Sequence, residues 1–280
     1  MRHRPFVQFS VFSWLCVAAV APVVGGGCGQ GLQPVTVGFR GAVGDRDFAC
    51  GQTYSGLGSS AAQVQPADFR LYVHNVRLVD AAGAEQPLTL DQDGLWQYQN
   101  VALLDFENKQ GLCDGTAATN LTVRGQVAAG AGGFTGVRFT LGLPPELNHG
   151  NQATAPAPLN LSGLFWSWQD GYKFLRTEGR VVGGSSGFLM HLGSTDCQAG
   201  AGGQTECKNL NTPEIRLAGF DPQQNRIGVD LAALLAGSDL GPGISCQSEP
   251  DVAVCGPVFQ RLGLPFSGLS ASPQSFFRVE

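Results

Sequence analysis

The chain has 280 residues, a formal net charge of −5 and only 14% charged residues. An acidic chain with few lysines and no basic cluster is a poor binder of nucleic acid, which excludes that class of function. The 40 glycines and the scarcity of charge favour a protein of strands and loops.

The first 27 residues have the layout of an export signal. Arg2 and Arg4 form a basic start, an almost uninterrupted apolar run covers 11–24, and three glycines precede Cys28. The run is shorter than the roughly 20 residues that span a bilayer, so a permanent transmembrane helix is disfavoured. A small residue directly before a cysteine is typical of bacterial lipoproteins, so we expect lipidation at Cys28, with plain signal cleavage nearby as the alternative.

This layout predicts the domain organisation and the compartment. The predicted parts are a signal peptide over 1–27, a tether over 28–34 and one domain over 35–280. About 250 residues are enough to bury the core of one domain. The protein is expected to be periplasmic or anchored to the outer membrane.

Strand patterns dominate the rest of the chain. β-Branched and aromatic residues mix with polar ones in segments bounded by Gly- and Pro-rich turns. In chain order, the predicted strands are 35–39, 68–79, 120–124, 136–141, 215–217, 227–231 and 276–279. Short helices are predicted over 230–235 and 257–262. The sequence therefore predicts an all-β fold: a single antiparallel β-sandwich or barrel-like domain with long disulfide-stapled loops and one or two short helices.

Six of the eight cysteines lie outside the leader and the predicted lipid site: Cys50, Cys113, Cys197, Cys207, Cys246 and Cys255. An even number in an exported chain predicts disulfides. Pairs that close short loops are the simplest assignment, Cys197 with Cys207 and Cys246 with Cys255. Cys50 then pairs with Cys113, although six cysteines allow many other connectivities. Zinc is a weaker interpretation, because neither close pair has the spacing of a zinc knuckle.

The segment FWSWQDGYKFLRTEG, 165–179, carries a W-x-W pair, Trp166 and Trp168. Residues two apart in an extended strand point to the same side, so both indoles are expected on one face. Core packing is the usual role of aromatic clusters in β proteins. The isolated histidines of the same chain make a metal site the competing interpretation.

Three histidines lie outside the leader: His74, His149 and His191. For any one of them alone, a structural or surface role is the simpler interpretation. Copper accepts imidazole and thioether ligands, and imidazole is the strongest soft-metal donor left if the cysteines are oxidised. Sequence spacing does not show whether the three histidines converge.

Several segments resemble the MbnP family of exported copper-binding proteins, also described as the four-cysteine-motif member of the metallo-mystery pair. They are DFRLYVHNVRLVD (68–80), LWQYQNVALLDFE (95–107), CDGTAATN (113–120), GVRFTLGLPPELNH (136–149), PLNLSGLFWSWQDGYKF (158–174), HLGSTDC (191–197) and CGPVFQRLGL (255–264). The resemblance implies periplasmic copper binding, in acquisition, storage or delivery. It also implies a partner, an MbnH-like di-haem protein of the MauG-like peroxidase class, which oxidises a tryptophan to kynurenine to complete the copper site.

The resemblance also implies which residues of this chain form the site. His149 and His191 are the preferred imidazole ligands. His74 is a third ligand or a residue that contacts a ligand and not the metal. The four cysteines of the family name match Cys197, Cys207, Cys246 and Cys255.

The same resemblance implies the modified residue. Trp168 or Trp166 is the candidate for kynurenine, with Trp96 as a less favoured alternative. Without the maturation partner the tryptophan stays unmodified, and copper affinity is then in doubt.

Two other classes of function stay open. One is a structural or adhesive surface lipoprotein without a metal. The other is a serine hydrolase, because 183–187 matches the G-x-S-x-G motif with Ser185 as its nucleophile. That motif needs a strand-to-helix turn, whereas the FLMH that follows is a strand pattern. No convincing nucleophile, base and orienting acid occur together, so the chain is not expected to be an enzyme.

Overall fold

The structure is a computed structural model that describes residues 31–184, 187–200 and 204–280. The predicted signal peptide, the lipid site Cys28 and the serine Ser185 lie outside these ranges. Within them, no helix combines the length and the apolar character that crossing a membrane requires.

Strands make up most of the described chain, in this order: β1 (Leu32–Val43), β2 (Arg46–Asp47), β3 (Tyr54–Leu57), β4 (Ala62–Asp80), β5 (Glu85–Pro87), β6 (Thr89–Leu90), β7 (Gln97–Tyr98), β8 (Val101–Asp105), β9 (Thr122–Ala128), β10 (Phe134–Leu141), β11 (Phe165–Ser167), β12 (Gly171–Tyr172), β13 (Leu175–Val181), β14 (Gly187–Leu192), β15 (Thr195–Ala199), β16 (Thr205–Asn209), β17 (Glu214–Ala218), β18 (Arg226–Asp230), β19 (Ile244–Cys246) and β20 (Phe277–Val279). The α-helices of this part are short: α1 (Pro145–Asn148), α2 (Leu231–Leu235) and α3 (Gly256–Leu262).

In the described ranges these strands form two large open sheets and two small hairpins. The first sheet has the order β20-β18-β1-β9-β6, with β2 paired to β1. The second has the order β17-β10-β4-β13-β14-β19; β3, β5 and β8 also pair with β4, and β7 pairs with β8. The hairpins β11–β12 and β15–β16 stand apart from both sheets.

The core lies between the two sheets. The ring of Phe39 in β1 lies 5.9 Å from that of Phe139 in β10, centroid to centroid, and Phe277 in β20 lies 5.1 Å from Phe139. Aromatic side chains from both sheets therefore meet in one interior, where edge-to-face contacts add to the hydrophobic effect. The sheets are open, so the architecture is a sandwich and not a closed barrel.

The structure confirms the predicted all-β fold with short helices. Each predicted strand is present, and α2 and α3 match the two predicted helices. Asp230 begins α2 as an N-cap, since its carboxylate accepts a hydrogen bond from the N–H of Ala232 at 2.9 Å. The strands are mainly antiparallel; the pairs β1–β18 and β14–β19 are parallel.

β1 begins inside the segment 28–34, which the sequence predicts to be a tether. β1 starts at Leu32, and its residues 32–34 pair with 126–128 of β9. The sequence did not predict this extension because of Pro34. Proline is rare in paired strands and occurs mainly at their edges or first residues.

All three disulfides of the preferred assignment are present: Cys50–Cys113, Cys197–Cys207 and Cys246–Cys255. Each typically stabilises a folded chain by about 2–4 kcal/mol, mainly by constraining the unfolded state. The first and third are buried, whereas the sulfurs of Cys197 and Cys207 belong to half-buried residues.

The serine-hydrolase motif lies between β13 and β14. These antiparallel neighbours form a hairpin, and the element that begins at Gly187, the last residue of the motif, is the strand β14 and not a helix. The strand-to-helix turn that a nucleophile elbow needs is therefore missing from the segments on either side of Ser185.

A group of charged side chains is buried where β4 meets β8 and β13. Arg70 donates to Asp68 with Nε at 2.9 Å, and Arg176 forms an ion pair with the same carboxylate at 3.1 Å. Asp105 and Glu107 lie next to them, and neither is exposed. Burial raises the pKa of Asp105 to about 8, in spite of the opposing charge of Arg70. Asp105 therefore holds a proton at neutral pH, and burial also raises the pKa of Asp68.

Candidate metal centre

The W-x-W segment lies on a small hairpin between the two predicted imidazole ligands. β11 ends at Ser167, so Trp166 lies in the strand, and Trp168 lies in the turn that leads to β12. The prediction that one strand face carries both indoles is therefore wrong. The turn at 168–170 gives the two rings different neighbours, and each ring lies near one of the histidines.

Trp166 lies next to His191. The centroids of the two rings are 6.0 Å apart, and the indole is half-buried while His191 is only 5% exposed. His191 lies near the end of β14, opposite Arg176 of β13. The indole occupies space above Gly193, where any larger side chain would collide with its ring.

Glu178 fixes the orientation and the tautomer of His191. Glu178 lies on the same face of β13 as Arg176, and its Oε1 lies 2.7 Å from His191 Nε2 and 2.6 Å from Arg176 Nε. Burial tends to raise the pKa of Glu178, but the hydrogen bonds from His191 and Arg176 lower it to about 2. An ionised carboxylate can only accept, so Nε2 of His191 carries the hydrogen and donates it.

The other ring nitrogen of His191 is left with a free lone pair. Burial lowers the pKa of His191 more than the hydrogen bond to Glu178 raises it, so the neutral ring dominates at pH 7. Its Nδ1 is buried and has no hydrogen-bond partner within the ranges that the structure describes. A buried polar atom without a partner costs about 1–3 kcal/mol. A carboxylate on one imidazole nitrogen and an open lone pair on the other is the usual arrangement of a metal-binding histidine.

Trp168 lies next to His149 at the other end of the hairpin. The indole is 56% exposed, and it lines a cavity of about 420 Å³ together with Pro145, Glu146 and His149. His149 follows α1, a helix that the sequence patterns did not reveal because it is a single turn begun by Pro145. Its Nδ1 lies 3.3 Å from the carbonyl oxygen of Trp168.

Asn148 fixes the tautomer of His149. The Oδ1 atom of Asn148 accepts the N–H of Tyr172 at 2.9 Å, so its Nδ2 must be the atom that faces His149 Nε2 at 3.0 Å. An amide nitrogen donates, so Nε2 of His149 accepts and carries no hydrogen. The hydrogen is then on Nδ1, which donates to Trp168. His149 Nε2 also lies 3.2 Å from the Sγ atom of Cys207.

Gly171 leaves the space that Asn148 needs. Its φ is +77°, and a Cβ atom there would lie 2.5 Å from Asn148 Oδ1. We expect Gly171→Ala to lower the free energy of unfolding by about 1–3 kcal/mol more than Gly219→Ala does. Gly219 is the matched control, because its φ is +76° and its Cβ would meet no atom within 4 Å. Urea unfolding measures both variants, and equal losses would contradict this account of Gly171.

His74 and Trp96 have other surroundings. His74, in β4, donates from Nδ1 to the carbonyl oxygen of Gly142 at 2.8 Å, and burial lowers its pKa. This bond holds the backbone just before α1. Trp96 packs partly buried against the core, and its backbone N–H donates to Asp93 at 2.7 Å.

Clusters of potential metal ligands in the described part of the chain each contain a disulfide. They are His149 with Cys197 and Cys207, Glu107 with Cys50 and Cys113, and Glu249 with Cys246 and Cys255. None of these clusters joins two histidines. The structure thus brings Trp166 to His191 and Trp168 to His149, and His149 also to a disulfide.

The sequence patterns missed Glu178 and Asn148, which set the tautomers of the two histidines. A signal for Glu178 was present, because an acidic residue in the middle of the strand pattern at 175–181 must leave the core or find a partner. Asn148 gave no signal of its own, since its role depends on the turn of α1.

The chain is similar in sequence and in structure to one protein family. The sequence model of the MbnP family matches residues 32–250. The solved structure of MbnP from Methylosinus trichosporium is similar with a TM-score of 0.80 and 31% sequence identity, over 89% of this chain and 98% of that chain. A comparison with curated protein sequences gives no significant match. The matched region covers most of the chain and both ends of the W-x-W hairpin, so the chain belongs to the MbnP family.

Proposed function

We propose that the chain is an exported copper-binding protein whose copper centre is built around His191 and an oxidised Trp166. Membership of the MbnP family associates the chain with copper. The observation that carries the proposal is the buried Nδ1 of His191, which has no partner among the described residues and belongs to a ring 6.0 Å from the half-buried indole of Trp166, centroid to centroid. Glu178 supports it, since it holds the ring by the opposite nitrogen.

The donor set fits a soft or borderline metal once the tryptophan has been oxidised. The nitrogen lone pair of an indole belongs to the aromatic system, so tryptophan itself is a poor ligand. Kynurenine has an aniline nitrogen and a carbonyl oxygen in its place, and imidazole nitrogen suits copper. His149 lies at the other end of the hairpin, beside Trp168 and Cys207, and is therefore left out of the proposed centre. Copper when bound would supply redox and coordination chemistry. His191 would bind it through Nδ1, and Glu178 would hold the imidazole in place.

We further propose that an MbnH-like di-haem protein carries out the oxidation. Trp168 is mostly exposed and adjoins Trp166, so a partner protein can approach this hairpin from solvent. The proposed role is copper acquisition, storage or delivery at the periplasmic side, with a lipid anchor at Cys28. The chain itself is not proposed to catalyse a reaction.

Mass spectrometry tests the modification. Conversion of tryptophan to kynurenine changes the mass by about +4 Da, since one oxygen is gained and one carbon lost overall. In protein produced together with its di-haem partner, fragment ions should place this change on Trp166. Trp166→Phe should lose the change, and Trp168→Phe should keep it. Unmodified protein from the co-expressing cells, or a change that stays on Trp168 alone, would contradict the assignment.

A further inference from the structure

The half-buried disulfide Cys197–Cys207 differs from the other two in its surroundings. It joins directly opposed residues of the β15–β16 hairpin, and both residues are half-buried. Cys207 and His149 line a cavity of about 370 Å³ that opens next to the cavity of Trp168. The other two disulfides are buried in the domain. Solvent-accessible disulfides are the ones that thiol reductants reach first.

The imidazole of His149 faces this disulfide with its unprotonated nitrogen. Nε2 lies 3.2 Å from Cys207 Sγ, and the ligand atoms of His149, Cys197 and Cys207 all lie within 4.8 Å of one another. The other two clusters offer a carboxylate instead of an imidazole. Two sulfurs and one imidazole nitrogen are a common set of three protein ligands for zinc, and thiolates also favour Cu⁺.

We infer that reduction of Cys197–Cys207 creates a second metal site, in which the two thiolates and His149 Nε2 hold one soft cation such as Zn²⁺ or Cu⁺. This goes beyond the proposed copper centre at His191 and needs no kynurenine. The metal would replace the amide of Asn148 as the partner of Nε2. The Nδ1–H of His149 keeps its bond to the carbonyl of Trp168, which fixes the ring for binding.

Reduction of Cys197–Cys207 needs an external reductant, and a dithiol can supply the two electrons. One thiolate of the dithiol attacks a sulfur of the disulfide, which forms a mixed disulfide and releases the first protein thiolate. The second thiol of the reductant, as its thiolate, then attacks the mixed disulfide and releases the second protein thiolate. The protein gains two electrons and two protons, and the dithiol becomes a disulfide. Binding of the cation then releases the two thiol protons to solvent.

The hairpin is built to keep its shape when the bond opens. Thr195 pairs with Asn209, and their side chains share a hydrogen bond of 3.1 Å. Gly200 and Gln204 close the other end, with a backbone hydrogen bond of 2.7 Å. The ladder therefore spans both sides of the disulfide, and reduction leaves the three ligands on the same short element and its neighbour.

Limited reduction followed by cadmium titration tests the inference. The mature chain is treated briefly with dithiothreitol, and free thiols are alkylated and mapped; two are expected, at Cys197 and Cys207. A second sample, freed of reductant under argon, is titrated with Cd²⁺ and should show a thiolate-to-cadmium charge-transfer band that saturates at one equivalent. Unreduced protein should show no band. Early opening of either buried disulfide would overturn the inference.

Variants separate this site from the proposed copper centre. His149→Ala should weaken cadmium binding at least about 10-fold, and Cys197→Ser with Cys207→Ser should abolish the band. Circular dichroism checks that both variants stay folded. The double variant Trp166→Phe, Trp168→Phe cannot form kynurenine but keeps the carbonyl that holds His149, so it should bind Cd²⁺ normally. Equal cadmium affinity with and without His149 would overturn the site, whatever the outcome for copper.

Discussion

Replacing His191 by alanine is expected to weaken copper binding at least about 10-fold, because even the loss of a group behind a metal ligand costs about 10–100-fold. The substitution removes the Nδ1 lone pair, which is buried and has no partner in the described part of the chain. Competition with a chromophoric copper chelator measures the affinity of protein that has been matured by its partner. His149→Ala should cost less, since its Nε2 already accepts a hydrogen bond from Asn148.

Glu178 provides the companion test of this site. Glu178→Gln keeps an oxygen that accepts the Nε2–H of His191, whereas Glu178→Ala removes it. We expect the alanine variant to lose more copper affinity than the glutamine variant, because only the former frees the imidazole to rotate. His74→Ala is the matched control, since its Nδ1 is used for the backbone of Gly142. Equal affinities in the wild type and the His191→Ala variant would contradict the proposed centre.

The second large effect concerns the dependence of stability on pH. Asp105 has a pKa of about 8 in the folded protein and is fully buried, whereas its unfolded value is about 3.9. Between these two values the folded state holds a proton that the unfolded state has lost. Stability must therefore fall as pH rises, by about 1.4 kcal/mol per pH unit and roughly 6 kcal/mol in all.

Asp105→Asn should remove this slope. Asparagine is neutral at every pH and its Oδ1 can still accept the N–H of Glu107, which donates to Asp105 at 3.1 Å. The two histidines with lowered pKa values, His74 and His191, contribute a slope of opposite sign, but only below about pH 6.5. Burial also raises the pKa of Asp68, but Asp68 is present in both proteins. The difference between their free energies of unfolding in urea, from about pH 6.5 to pH 8, therefore isolates Asp105.

Asp93→Asn is the control for this experiment. Its carboxylate accepts three backbone N–H groups, and although burial acts in the other direction these bonds lower its pKa. The stabilisation that the Asp93 carboxylate provides is present above the pKa of the unfolded state. It is lost only as pH falls toward the lower pKa of the folded state. Asp93→Asn should thus cost a constant amount above about pH 5. If the free energies of unfolding of the wild type and of Asp105→Asn changed with pH in the same way, Asp105 would be ionised in the folded protein and the prediction would be wrong.

The strands and disulfides were predictable because their signals are local. Alternating β-branched residues mark β4 and β10, and the short separations of Cys197 from Cys207 and of Cys246 from Cys255 favour those pairs. The buried charges gave no such signal. Asp68 and Arg70 fall inside a strand pattern, but their burial depends on Arg176 of β13, which is distant in sequence. The parallel pairs of β1 and β14 likewise depend on topology and not on residue type.

The candidate site was predictable in its residues and not in its geometry. The W-x-W spacing predicts two indoles on one face of a strand. β11 is too short for this, because the backbone turns after Ser167 and Gly171 adopts a positive φ. The choice of free nitrogen on each histidine depends on Glu178 and Asn148, and a sequence does not show which side chain meets which ring nitrogen.

The position of β18 between β1 and β20 sets the order in which the chain can fold. β1 lies at the start of the described domain, but one of its edges remains unpaired until residues 226–230 have been synthesised. β18 in turn pairs with residues 277–279, which are synthesised later still. Arg40, which pairs with nearby Asp47, also forms an ion pair with the distant Glu280, at 3.1 Å. Contacts between such distant residues make folding slow and leave strand edges open to aggregation. The six-stranded sheet is therefore complete only after its last strand has been synthesised, so the proposed export would act on a chain that is still unfolded.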